Sequence, residues 1–92
     1  MIRSFASKDT QALFDGKRVR RWIHIEATTM RKLALLHRAA SLSDLRIPPG
    51  NHLETLKGDR AGQRSICVSD QFRIGFTLRH GEAYDVEIVD YH

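Results

Sequence analysis

Ninety-two residues, 41% of them apolar and 28% charged, suffice for one modest hydrophobic core and are too few for two, so a single domain over 1–92 is expected. That balance excludes a disordered or membrane-embedded chain, and no run of about 18 apolar residues exists for a transmembrane helix. A formal charge of +4 favours an anionic partner, and the excess is uneven: residues 1–46 hold ten Lys/Arg against four Asp/Glu, residues 47–92 five against seven.

The opening Met1-Ile2-Arg3-Ser4-Phe5 lacks the long apolar core of a signal peptide, so a cytoplasmic protein without membrane contact is expected. It reads as a short first strand. Ser7 is placed to cap a helix that carries Ala12, Leu13 and Phe14 and ends near Gly16. The densest basic cluster follows, Lys17, Arg18, Arg20 and Arg21, which suits nucleic acid phosphates, an acidic protein or a solvated helix entry. In a second helix Trp22, Ile25, Thr29, Leu33, Leu36 and Ala40 recur at spacings of three and four and share one face, with Thr28 and Thr29 weakening its middle. His24 and His37 on this helix are expected at exposed or boundary positions.

Ser41 to Leu45 reads as a turn or a single helical turn. Ile47-Pro48-Pro49-Gly50-Asn51 is a firm break, because the two prolines remove donors and restrict their predecessors. Beyond it the period changes to two. Short apolar stretches at Leu53–Leu56, Arg64–Val68, Phe72–Leu78 and Tyr84–Val89, joined by tight connections, predict an antiparallel meander. Phe72, Ile74, Phe76 and Leu78 should face the core, leaving Arg73 on an open, wet face. Tyr84, Val86 and Ile88 should share the buried face of the last strand, which runs into Asp90, Tyr91 and His92. The fold class is therefore α+β, two N-terminal helices packed on a mainly antiparallel sheet. Cys67 lies in a strand pattern and reads as a small packing residue.

The combination of Pro48-Pro49-Gly50-Asn51, Leu56-Lys57-Gly58-Asp59-Arg60, Gly62-Gln63, Phe72-Arg73-Ile74 and the terminal Val86-Glu87-Ile88-Val89-Asp90-Tyr91-His92 resembles the HigB toxins, a branch of the RelE-like superfamily. The resemblance spans essentially the whole chain. It implies a type II toxin that cleaves messenger RNA on the translating ribosome and is neutralised by a HigA-like helix-turn-helix antitoxin, with operator DNA reached only through that antitoxin. It also implies a catalytic cluster of Lys57, Arg73, Asp90, Tyr91 and His92. Some members carry a histidine where this chain has Glu54; His52 shares its parity, about 7 Å back along a strand. Phe72 stands where a tryptophan is often found.

These residue types suit metal-independent RNA cleavage, in which the 2′-hydroxyl attacks the adjacent phosphate. Such a site needs a base, an acid and cations around the phosphate. His92 titrates nearest neutrality and can act as base or acid, Asp90 can orient or receive a proton, Lys57 and Arg73 suit the non-bridging oxygens, and Tyr91 can stack on a base. His52, Arg64 and the cluster Lys17, Arg18, Arg20 and Arg21 are candidate RNA or ribosome contacts, although Arg64 shares parity with Ile66 and Val68. The histidines are too scattered for a metal site, so no cofactor is expected. A related non-enzymatic reading is a toxin of the same fold that acts by occupying the ribosome or another target such as gyrase.

Overall fold

The computed structural model describes residues 1–55 and 62–90. Its helices are α1 (Lys8–Phe14), α2 (Glu26–Arg38) and the single turn α3 (Leu42–Leu45), and a 3-10 segment Arg20–Ile25 leads into α2. The strands β1 (Glu54–Thr55), β2 (Arg64–Cys67), β3 (Phe72–Arg79) and β4 (Glu82–Asp90) form an antiparallel sheet in the order β1-β2-β3-β4. The α+β class and the meander expected from the sequence are both present. Among the described residues no helix is long and apolar enough to cross a membrane.

Local chemistry explains the boundaries of α1. The Ser7 hydroxyl accepts the Thr10 N–H at 3.3 Å, and Asp9 lies in the first turn, where the positive end of the helix dipole favours a carboxylate. At the other end Gly16 adopts φ 92°, which lets Gly16 N–H reach the Leu13 carbonyl and Lys17 N–H reach that of Ala12. Both orphan carbonyls are thereby satisfied in a Schellman arrangement.

Trp22, Ile25, Thr29, Leu33 and Leu36 are all buried, as their spacing requires, and they cover the sheet face carrying Ile66, Ile74, Phe76, Val86 and Ile88. Ala40 is exposed and Ala39 is buried in its place, because α2 stops at Arg38 and the chain turns to extended geometry at Ala39. The helical break falls at Ile25, where 3-10 gives way to α geometry, rather than at Thr28 and Thr29.

The buried face of β4 departs from the simple period. Gly75 pairs with Glu87 and Thr77 with Tyr84, so two steps along β3 oppose three along β4. The extra residue is a β-bulge, with Asp85 at φ 54°. Across it the alternation changes phase, so that Ala83, Val86 and Ile88 line the core. Tyr84 is moved to the opposite face, where the Arg79 guanidinium sits 4.4 Å from its ring centroid.

The N-terminal segment is a cover for the β4 edge rather than a full strand. Ile2 and Phe5 form isolated parallel bridges with Ala83 and Val86. Backbone bonds from Arg3 to Ala83 (2.7 Å) and from Ala6 to Val86 (3.0 Å), and from the Asp85 N–H to the Ser4 hydroxyl (2.9 Å), occupy groups that an open edge would expose. Farther along the same edge, Ile88 N–H donates to the buried Thr10 hydroxyl of α1 at 3.1 Å. His37 completes the join by accepting the Ile2 N–H on Nδ1 at 3.2 Å while its ring packs 5.4 Å from Phe14.

Two tests follow from this packing. Thr29 is fully buried on α2 and its hydroxyl has no hydrogen-bond partner among the described residues. Thr29→Val keeps the shape and removes an unsatisfied group, so it should stabilise the protein by about 1 kcal/mol in urea unfolding, whereas Thr29→Ala should destabilise it. At the N-terminus, the hydrogen bond from Arg3 lowers the Glu82 pKa against a smaller desolvation effect, and the terminal ammonium adds to the lowering. A lowered carboxyl contributes stability that is present above its unfolded value and lost as pH falls through its folded value. Protection of the Arg3 amide from exchange should therefore decline on acidification below the ordinary carboxylate range, and Glu82→Gln should remove that dependence.

Candidate functional site

The last residues of β4 meet the 3-10 segment at a pocket of about 380 Å³ lined by Arg21, Trp22, Phe72, Ile88 and Asp90. The register that pairs Phe72 with Asp90 and Ile74 with Ile88 puts Asp90 on the helix-covered face, at its rim. Trp22, Phe72 and Ile88 are buried and supply an apolar floor. Arg21 reaches the rim from the 3-10 segment, with its guanidinium 4.3 Å from the Trp22 ring centroid and its Nη1 2.6 Å from Asp9 Oδ2. Gln71 Nε2 donates to Asp90 Oδ2 at 3.1 Å, and the His24 ring packs edge-on to Phe72 at 6.1 Å. A cation, a carboxylate and aromatic surface thus converge on a cavity of the size a nucleotide fragment requires.

Arg73 is displaced from its expected setting. Its parity is as expected, opposite Phe72 and Ile74, but the residue is buried, with only 10% of its side chain exposed. Nε donates to Ser65 Oγ at 2.7 Å, and Nη2 donates to the Ser65 carbonyl at 3.3 Å and to the His52 carbonyl. Glu54 Oε2 lies 3.9 Å away. The chain entering β1 curls over this end of the face, so the wet surface expected there is occupied by protein.

His52 is also placed differently from strand parity. It adopts φ 45° and precedes the two-residue β1, so its exposed side chain does not follow the alternation of Glu54, and its carbonyl is what engages Arg73. Arg64 lies across from Thr55, on the Ile66 side of β2, and donates to Thr55 Oγ1 at 2.6 Å. It joins neither Arg73 nor Asp90.

Within the basic cluster, Arg18 pairs with Glu26 at 3.3 Å and Arg21 with Asp9, while Lys17 and Arg20 are exposed. Lys57, Tyr91 and His92 lie outside the described residues. Of the sequence-expected site residues, the structure therefore brings Arg21 to Asp90 and sets Arg73 on the opposite face, across from Val89. Trp22 and Phe72 were legible only as core positions. Their contribution to the pocket wall depends on the 3-10 segment crossing the end of β3 and β4, which spacing alone does not reveal.

The helices over a four-stranded antiparallel meander, with Arg21 and Asp90 lining one pocket at the end of the last strand, define a RelE-like fold. A sequence model described as the RelE-like toxin of the type II toxin-antitoxin system HigB matches residues 3–92, and the chain belongs to that family. It is 39% identical over 85 residues to Toxin HigB-1 of Vibrio cholerae serotype O1, covering 90% of each chain. It is also 48% identical over 40 residues to Endoribonuclease HigB of Proteus vulgaris, covering 44% of each. Membership of a type II system implies a protein antitoxin as partner.

The burial of Arg73 changes what its removal should do. Arg73→Ala leaves the Ser65 hydroxyl and the His52 carbonyl without their donor, and unmade bonds of this kind cost about 1–3 kcal/mol each. The variant should melt measurably lower than wild type. An unchanged melting temperature would instead mean that the side chain is solvent-accessible in solution.

Proposed function

We propose that this toxin is a ribosome-dependent endoribonuclease that cuts translated messenger RNA without metal, through attack of the 2′-hydroxyl on the adjacent phosphate, and that a HigA-like antitoxin neutralises it. The observation that carries the reading is the meeting of Arg21 and Asp90 at an aromatic-floored pocket at the end of β4, immediately before Tyr91 and His92 in the sequence. The name Endoribonuclease HigB, borne by the Proteus vulgaris relative, supports the same activity.

In this scheme the attack forms a 2′,3′-cyclic phosphate and breaks the bond to the 5′-oxygen, which leaves as a hydroxyl. His92 and Asp90 manage the proton removed from the 2′-oxygen and the proton delivered to the 5′-oxygen. Lys57 and Arg21 offset charge on the phosphate, and Tyr91 stacks on a neighbouring base. Arg73 is a positioning residue: its guanidinium holds the His52 carbonyl, lies 3.9 Å from the Glu54 carboxylate and adds positive potential from below the surface. The exposed Lys17 and Arg20 face ribosomal RNA.

The test is single-turnover cleavage on programmed ribosomes, with the new ends mapped and their chemistry determined. Wild type should give discrete 5′-hydroxyl and 2′,3′-cyclic phosphate ends. His92→Ala and Lys57→Ala should each reduce the rate by about 10²–10⁴-fold without a change in folding. The alternative of action by occupancy, on the ribosome or on gyrase, is favoured by Glu54 standing where some family members carry a histidine. Stalled but intact messages, equally stalled by His92→Ala, would establish it in place of cleavage.

A further inference from the structure

A second pocket, of about 220 Å³, lies on the outer side of α2, lined by Arg31, Lys32, Leu35, Arg38 and Pro48. Arg31, Leu35 and Arg38 are separated by four and three residues, so they stand in one row along the helix, away from the buried row of Thr29, Leu33 and Leu36. The groove is built rather than incidental. Lys32 Nζ donates to Asn51 Oδ1, and the fully buried Asn51 amide donates in turn to the Leu45 carbonyl at 3.0 Å and the Ile47 carbonyl at 3.4 Å. This chain of bonds holds the proline turn against α2. It leaves Ile47 72% exposed beside Pro48, the most exposed of the large apolar side chains described.

The lining holds three cations and no carboxylate. Asp44, itself exposed, accepts the Ala40 N–H at 2.9 Å and does not line the groove, and Arg46 adds a further exposed charge next to Ile47. A phosphate backbone would use the cations and gain nothing from the apolar centre. An exposed apolar patch rimmed by one sign of charge is instead complementary to a polypeptide that presents an apolar side chain between carboxylates. A protein partner of this toxin is implied by its family.

We propose that this groove docks an acidic segment of the antitoxin, with an apolar side chain seated on Leu35, Ile47 and Pro48 and flanking carboxylates paired with Arg31 and Arg38. The inference rests on membership of a type II system and not on the ribonuclease reading, because antitoxin binding is measured without RNA.

The experiment titrates purified cognate antitoxin into the toxin by calorimetry at low and high salt. Arg31→Glu with Arg38→Glu should weaken binding by about 10²-fold or more, since like charges then face each other. Ile47→Ser should weaken it by about 10-fold through lost apolar burial. Arg31→Lys with Arg38→Lys should retain most of the affinity, and wild-type affinity should fall as salt rises. All of these positions are exposed, so thermal melting should be unchanged, and ribosome-dependent activity should persist in every variant. Unchanged antitoxin affinity in both the charge-reversal and Ile47→Ser proteins would overturn the proposal. Intact antitoxin affinity with lost ribosome association would also overturn it, and would assign the groove to RNA phosphates. Should the charge-reversal protein fail to fold, Ile47→Ser and the salt dependence decide the matter by themselves.

Discussion

The pairing of β3 with β4 is the constraint on which the rest of the molecule depends, and it turns on one residue. Asp85 adds a step to β4 with φ 54°, a left-handed geometry that aspartate tolerates better than most side chains. Without that step, Ala83 and Val86 could not both face the helices, and Tyr84 would be driven into the core. The register it produces carries through to the end of the strand. Asp90 comes opposite Phe72, and Val89 comes opposite Arg73.

The remaining elements are fitted to this ladder. An antiparallel sheet ending at β4 would present a row of unpaired backbone groups, and two parts of the chain, the N-terminal segment and α1, take them up. Residues 1–6 bridge the edge at Ala83 and Val86, Ser4 accepts the bulged amide, and Thr10 accepts that of Ile88. Because Thr10 belongs to α1 and His37 of α2 holds the Ile2 amide, the edge cover and the helical layer are one connected structure. The apolar stripe of α2 and its 3-10 extension then closes over the sheet, and burial of Trp22, Ile25, Leu33 and Leu36 supplies the main apolar driving force of that layer.

One consequence is that the candidate site residues are divided between the two faces of the sheet. On the helix-covered face, Asp90 shares a pocket with Arg21, Trp22 and Phe72. On the other, Arg73 is drawn under the chain that enters β1 and bound to Ser65 and His52. A buried guanidinium is stable only where its donors find acceptors, and among the described residues these include two main-chain carbonyls and a hydroxyl, with Glu54 nearby. The same arrangement that satisfies it also ties the His52 backbone to β2 and β3.

Although the expected first strand proved to be an edge cover, periodicity and capping chemistry determined the two main helices and the meander that follows them, the buried row Trp22, Ile25, Thr29, Leu33 and Leu36, the capping of α1 by Ser7, and the parity of Arg73 relative to Phe72 and Ile74. These are local properties, set by spacings of three, four or two and by the chemistry of a cap. The motifs from Pro48 to the terminal Asp90-Tyr91-His92 carried the family as well. Three things were decided only by the tertiary structure: that Arg73 is covered, that Tyr84 leaves the core face, and that His52 offers its carbonyl rather than its ring. Each depends on a bulge, a left-handed residue or a segment folding back over a face, and none of these leaves a periodic trace. The pocket joining Arg21 to Asp90 depends on the same kind of contact, since residues 69 positions apart in the sequence are brought together only by the packing of the 3-10 segment across the end of the sheet.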